Sequence, residues 1–185
     1  MKLRFAGLVA LFCLSIALIG CGGGGGSSSP VSAPLDPNFD LKLQENYPTV
    51  AASYVKLDTV LLENGQTAEA RVQSFIAEVS ADFVNGAGTA ARSELESTTL
   101  SRLQRYTINE YSFVPTAHTV NEDGTIAVTT AMSIKVAKKP GAEGGFTSLE
   151  TTIVPSPVIT WKKEGDVWKI IKGLPYLSSE VNNLD

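Results

Sequence analysis

Along the middle of the chain apolar residues recur every three or four positions. In the second half they recur every two, so helices come first and strands follow. From Thr49, the residues Val50, Tyr54, Leu57 and Leu61 fall at spacings of four, three and four, which predicts a helix stopped at Asn64-Gly65. Thr67 is a candidate N-cap for a stronger helix. In it Ala68, Val72, Phe75, Ile76, Val79 and Phe83 form one apolar stripe, while Glu69, Arg71, Gln73, Glu78 and Asp82 lie elsewhere. Asn85-Gly86-Ala87-Gly88 ends it. Residues 90–104 predict a weaker helix, with Leu95, Leu100 and Leu103 inward and Ser93 and Glu96 at capping-box spacing.

After Tyr106 the period becomes two. Ile126, Val128, Thr130, Met132, Ile134 and Val136 alternate with small or polar residues, the mark of a half-buried strand. Tyr106 to Val120 predicts its partner across the turn Asn121-Glu122-Asp123-Gly124. The apolar phase slips between Ile108 and Tyr111, which predicts a bulge, and Pro115 predicts an edge or an irregularity. A loop from Lys138 to Gly145 follows. A third strand begins at Leu149, Thr151 and Ile153, is interrupted by Pro155-Ser156-Pro157, and continues through Ile159 and Trp161. Glu164-Gly165-Asp166 turns into a fourth strand, Val167 to Ile171, ended by Gly173 and Pro175. The expected fold is therefore α+β, with N-terminal helices packed on a curved four-stranded antiparallel sheet.

The N-terminus is a different kind of segment. Lys2 and Arg4 precede a nearly unbroken apolar run from Phe5 to Ile19, which has the length of a signal-peptide core and falls short of a permanent membrane span. Leu18-Ile19-Gly20-Cys21 then resembles the lipobox of bacterial lipoproteins. That resemblance implies a leader over residues 1–20, removed before Cys21, and a diacylglycerol thioether on Cys21 with acylation of its amine, palmitate being a typical chain. Gly22 to Gly26, Ser27 to Ser29 and Pro30 cannot bury apolar surface and read as a flexible tether over residues 21–34. Several acyl chains on one cysteine hold a protein at a bilayer, where one alone does so marginally. Gly22 stands where an Asp commonly signals inner-membrane retention, so the expected location is the outer membrane, facing the periplasm.

Composition narrows the partners. The chain carries a net charge of −4, and Lys2 and Arg4 contribute +2 of it, leaving −6 on residues 21–185. Such a balance speaks against nucleic acid and against electrostatic adhesion to anionic lipid. Both cysteines, Cys13 and Cys21, belong to the leader and lipobox, so the domain has no disulfide or thiol chemistry. A single histidine, His118, leaves no His/Cys zinc set. No metal or cofactor is expected. Residues 35–65 read as an extended lead-in and one helix, 66–177 as the folded domain, and 178–185 as a polar tail.

The order of helices then meander, closed by the hairpin from Ile159-Thr160-Trp161 through Glu164-Gly165-Asp166 to Trp168-Lys169-Ile170-Ile171, resembles the NTF2-like superfamily over residues 66–173. The resemblance implies a cone in which a bent sheet and helices enclose a pocket. It embraces isomerases, dehydratases and cyclases as well as non-catalytic binding modules, so fold alone does not select among them. Its enzymes place an acidic base and a tyrosine or second acid inside the cone, and no such set matches here residue by residue.

Individual candidates divide accordingly. Tyr106, Tyr111, Phe113, Trp161 and Trp168 could line an apolar pocket or form plain core. His118 reads as a general base or as a partly exposed strand-end residue. Glu78 and Asp82 could face the cone mouth or water, and Glu110 and Glu150 the cavity or the far side of the sheet. No catalytic residue is assigned. The expected function is a membrane-anchored envelope lipoprotein that binds a small apolar ligand or an envelope protein. The alternative is a small cone enzyme doing acid–base chemistry, and a homodimer through the outer sheet face is a further expectation.

Overall fold

Asp40 starts the fold. Its carboxylate accepts hydrogen bonds from the backbone N–H groups of Lys42 and Leu43 and so caps a short helix, α1 (Leu41–Asn46). Residues 36–143, 145 and 147–175 are described in the computed structural model; residues 35–185 form a compact unit distinct from residues 1–34. The leader, Cys21, the tether and the polar tail lie outside the described residues. The expectation of an extended lead-in is corrected by α1, whose Leu43 is fully buried.

Pro48 opens α2 (Pro48–Val60), where a missing N–H costs nothing. Val50, Tyr54 and Leu57 point into the core, as their spacing predicts, and Leu61 follows at the C-cap. This segment therefore shares the core of the later residues and is not a separate lead-in. Thr67 caps α3 (Ala68–Ile76) through the Ala70 N–H.

The predicted second helix is half as long as its apolar stripe. Residues 79–84 form a strand, β1 (Val79–Val84). Val79 and Phe83 are both buried, and their spacing of four keeps two residues on one face of a helix and of a strand alike, so the stripe runs on through β1. A further helix, α4 (Arg92–Arg105), buries Leu95 and Leu103, with Leu100 partly buried. Ser93 lies inside it and Ala91 is the N-cap without a side-chain bond, so the capping box is not formed.

The remaining strands are β2 (Tyr106–Val120), β3 (Ile126–Lys138), β4 (Ser148–Thr152), β5 (Val158–Glu164) and β6 (Val167–Lys172). Among the described residues the sheet has six strands, in the order β1-β6-β5-β3-β2, with β4 also on β3. It is mixed, because β1 runs parallel to β6 while the other pairs are antiparallel. The expected four-stranded antiparallel sheet is corrected on both counts, while the α+β class stands. The bulge in β2 falls where predicted, between Ile108 and Glu110, and a second lies between Pro115 and Ala117. β2 is an edge strand, as Pro115 predicts, and the Pro115 carbonyl accepts the Asp40 N–H. Residues 153–157 split the predicted third strand into β4 and β5, which take up different stretches of β3. One core runs from Leu43 to Leu174 between the helices and one face of the sheet.

Candidate functional site

The space between helices and sheet is where a pocket is expected, and side chains fill it. Trp161 is fully buried and Tyr106 and Phe113 nearly so; Tyr111 is also buried, and only Trp168 is partly exposed. Four of the five residues expected to line a pocket are thus core. Among the described residues an interior void beside Leu61, Phe75, Thr99, Arg102, Tyr111 and Pro175 is about 20 Å³, which is room for a single water.

Three polar side chains at the centre of this interior bond to one another. The indole Nε1 of Trp161 donates to the Tyr54 hydroxyl at 3.2 Å. The Tyr54 and Thr130 hydroxyls lie 3.0 Å apart, and Thr130 donates to the Val128 carbonyl at 3.2 Å. Since the Thr130 proton is spent on Val128, the Tyr54 proton goes to Thr130. The relay from Trp161 through Tyr54 and Thr130 ends on backbone, so the donors of these three side chains are all used within it. Burial raises the Tyr54 phenol far above its ordinary value. Burial likewise pushes the Tyr111 phenol up to about 12, partly offset by the Arg102 charge. Neither can exchange a proton readily at neutral pH.

The carboxylates are distributed in the same way. Asp82 is exposed. Glu78 accepts from the Ser53 hydroxyl at 2.8 Å and pairs with Lys56, holding α2 to the start of β1. Glu110, Lys135 and Glu150 sit in register across β2, β3 and β4, all exposed, on the sheet face opposite the core. Lys135 and Glu150 are 2.8 Å apart, and Glu110 accepts from Ser133 at 3.2 Å. Around this row the outer face carries small side chains, among them Ala127, Thr129, Ala131 and Ala137.

Asp58 went unnoticed in the sequence. It lies on α2 and accepts the Phe113 backbone N–H at 2.5 Å, satisfying a donor on the edge strand β2. Burial pushes its carboxyl up to about 6, partly offset by that hydrogen bond. Its one described bond is to backbone.

His118 lies near the end of β2 and is partly exposed, as one reading of the sequence expects, and it has a partner. Its Nδ1 lies 2.6 Å from Asp40 Oδ2, and both side chains are largely buried. Tyr47 packs edge-on against the imidazole and against Trp168, with centroids 5.7 and 5.8 Å away. Burial raises the Asp40 carboxyl, but the His118 bond and the α1 N–H groups outweigh it and hold the group below 3.8. The pair fastens the start of α1 to β2. Asp40 went unnoticed in the sequence, and its partner lies 78 residues away. Among the described residues no group of three or more His, Cys, Asp or Glu side chains gathers to hold a metal.

The chain matches no family model, no curated protein and no solved structure.

Proposed function

We propose that the protein is a lipid-anchored envelope lipoprotein, held through Cys21 at the outer membrane, whose folded part is a non-catalytic NTF2-like module that binds on its exterior. The observation that carries the non-catalytic part is the filled interior. Trp161, Tyr54, Phe75, Phe83 and Phe113 occupy the place of a cone pocket, and the hydroxyls there donate to one another and to backbone. A cone enzyme needs a substrate-sized void in which a base faces a proton donor. The interior carboxyl with a raised pKa, Asp58, is instead bonded to a backbone N–H.

Two features support the NTF2-like part of the reading: the run of strands from the bulged β2 to β6 after the last helix, and a sheet with its helices on one face. The lipobox and the tether support the anchor. Among the described residues no helix is long and apolar enough to cross a membrane.

Growth with radiolabelled palmitate tests the anchor. The full chain is expected to take up label and fractionate with membranes, and Cys21→Ser to take up none and leave with the soluble periplasmic extract. An unlabelled wild type, or a labelled Cys21→Ser protein, refutes the anchor. The non-catalytic part fails if the purified domain turns over a small carbonyl substrate and Asp58→Asn abolishes that turnover.

A further inference from the structure

A groove opens on the exterior where the sheet is interrupted. β4 stops at Thr152, the chain steps out through residues 153–157, and β5 begins at Val158. Opposite this step the parallel strands β1 and β6 end side by side, with Val84 against Lys172. The chain leaves them through Asn85-Gly86 and through Gly173-Leu174-Pro175. The space between the two lips is about 250 Å³, just under the usual range of roughly 300–1,000 Å³ for small-molecule sites. Gly173 lets the lips approach. Its φ is +93°, and a Cβ there would lie 2.0 Å from the Val158 carbonyl oxygen.

The chemistry of the groove is one-sided. Ile153, Val154, Pro155, Pro157, Leu174 and Pro175 make apolar walls, and Val154 is 79% exposed, the most of any large apolar side chain described. The two polar side chains on the lining are donors. The Asn85 carbonyl oxygen already accepts the Ala87 and Thr89 N–H groups at 3.0 and 2.9 Å, which leaves its amide N–H₂. The Lys172 ammonium has no carboxylate partner among the described residues. Among the described residues no acidic side chain lines the groove, although the chain beyond the leader carries −6. A cation would meet Lys172, and a polyol would leave the apolar walls uncovered. An apolar chain with an anionic head satisfies both halves.

We propose that this groove binds a free fatty acid, its alkyl chain along Ile153, Val154 and Leu174 and its carboxylate at Lys172 and Asn85. The proposal rests on the reading of an exterior binding module and gives that module a ligand class.

Residues 35–185 carry their own core, since every buried apolar residue described lies between Leu43 and Leu174, so the test uses that part alone. Isothermal titration with decanoate, below its micelle concentration, is expected to give saturable one-site binding. Lys172→Gln removes the charge but keeps a polar side chain, and should weaken decanoate fivefold or more while leaving 1-decanol unchanged. Val154→Asp should abolish binding of both. Both side chains are exposed, and circular dichroism checks that the variants fold.

Absence of saturable decanoate binding overturns the proposal, and so does binding that ignores both substitutions. Binding that appears only after removal of residues 176–185 overturns it too, by making the tail the occupant. So does association with phosphatidylglycerol vesicles without decanoate binding, which would make a membrane surface the partner. Any of these with palmitate labelling at Cys21 intact leaves the anchored module standing. Loss of labelling with decanoate binding intact has the opposite meaning.

Discussion

Replacing Asp58 by Asn should stabilise the protein at neutral pH, although it removes a charged hydrogen-bond acceptor. The Asp58 carboxylate accepts the Phe113 N–H but sits against the core, and burial pushes its pKa from 3.8 up to about 6. Because the folded state binds the proton more tightly than the unfolded chain, stability falls as pH rises from about 4 to about 6 and stays lower above that. At about 1.4 kcal/mol per pH unit the full penalty is about 3 kcal/mol. Asp58 keeps part of its solvent, which roughly halves this to about 1.5 kcal/mol. Asparagine retains an oxygen for Phe113 and carries no charge. Urea denaturation of residues 35–185 should therefore show Asp58→Asn about 1–1.5 kcal/mol more stable than wild type at pH 7.5, converging with it near pH 4. Asp58→Ala provides the contrast, since it leaves the Phe113 N–H without its acceptor and should be about 1 kcal/mol less stable than Asp58→Asn at every pH. A destabilised Asp58→Asn at pH 7.5, or a difference that does not change with pH, would refute the reasoning.

Asp40 should behave in the opposite sense. Its lowered pKa contributes stability above 3.8 that is lost as pH falls below it, and Asp40→Ala should cost about 1–2 kcal/mol at pH 6 by removing both the α1 cap and the His118 partner, as read by urea denaturation. Tyr54→Phe preserves shape but strands the buried Trp161 N–H, so a loss of about 1–3 kcal/mol is expected, and an unchanged melting temperature would contradict the relay described above. Gly173→Ala should destabilise by about 2 kcal/mol or more, because its φ of +93° and the Val158 carbonyl both oppose a Cβ; a neutral effect in the same assay would count against the closeness of the groove lips.

Much of this architecture is written locally. The period-two alternation of β3, the turn at Asn121–Gly124, the bulge near Ile108 and the edge position of Pro115 all follow from side-chain spacing and backbone chemistry within a few residues. The apolar residues of α2 and the Thr67 cap are of the same kind. Spacing misled where two structures share one pattern. Val79 and Phe83 continue a helical stripe, and only pairing with β6, some ninety residues on, makes them a strand.

The sequence by itself determined the α+β class, the places of α2 and of the hairpins β2–β3 and β5–β6, and the N-terminal pattern that resembles a lipoprotein leader, because each depends on neighbours along the chain. The tertiary structure alone decided the rest. It put Asp40 beside His118, Asp58 on the edge of β2, and Lys172 and Asn85 across from the apolar step at residues 153–157. It also turned five candidate pocket aromatics into four core residues and one partly exposed ring. The physical reason is that periodicity reports which face of an element is apolar. What fills the space above that face, and which distant polar group meets which, is fixed only when the elements pack.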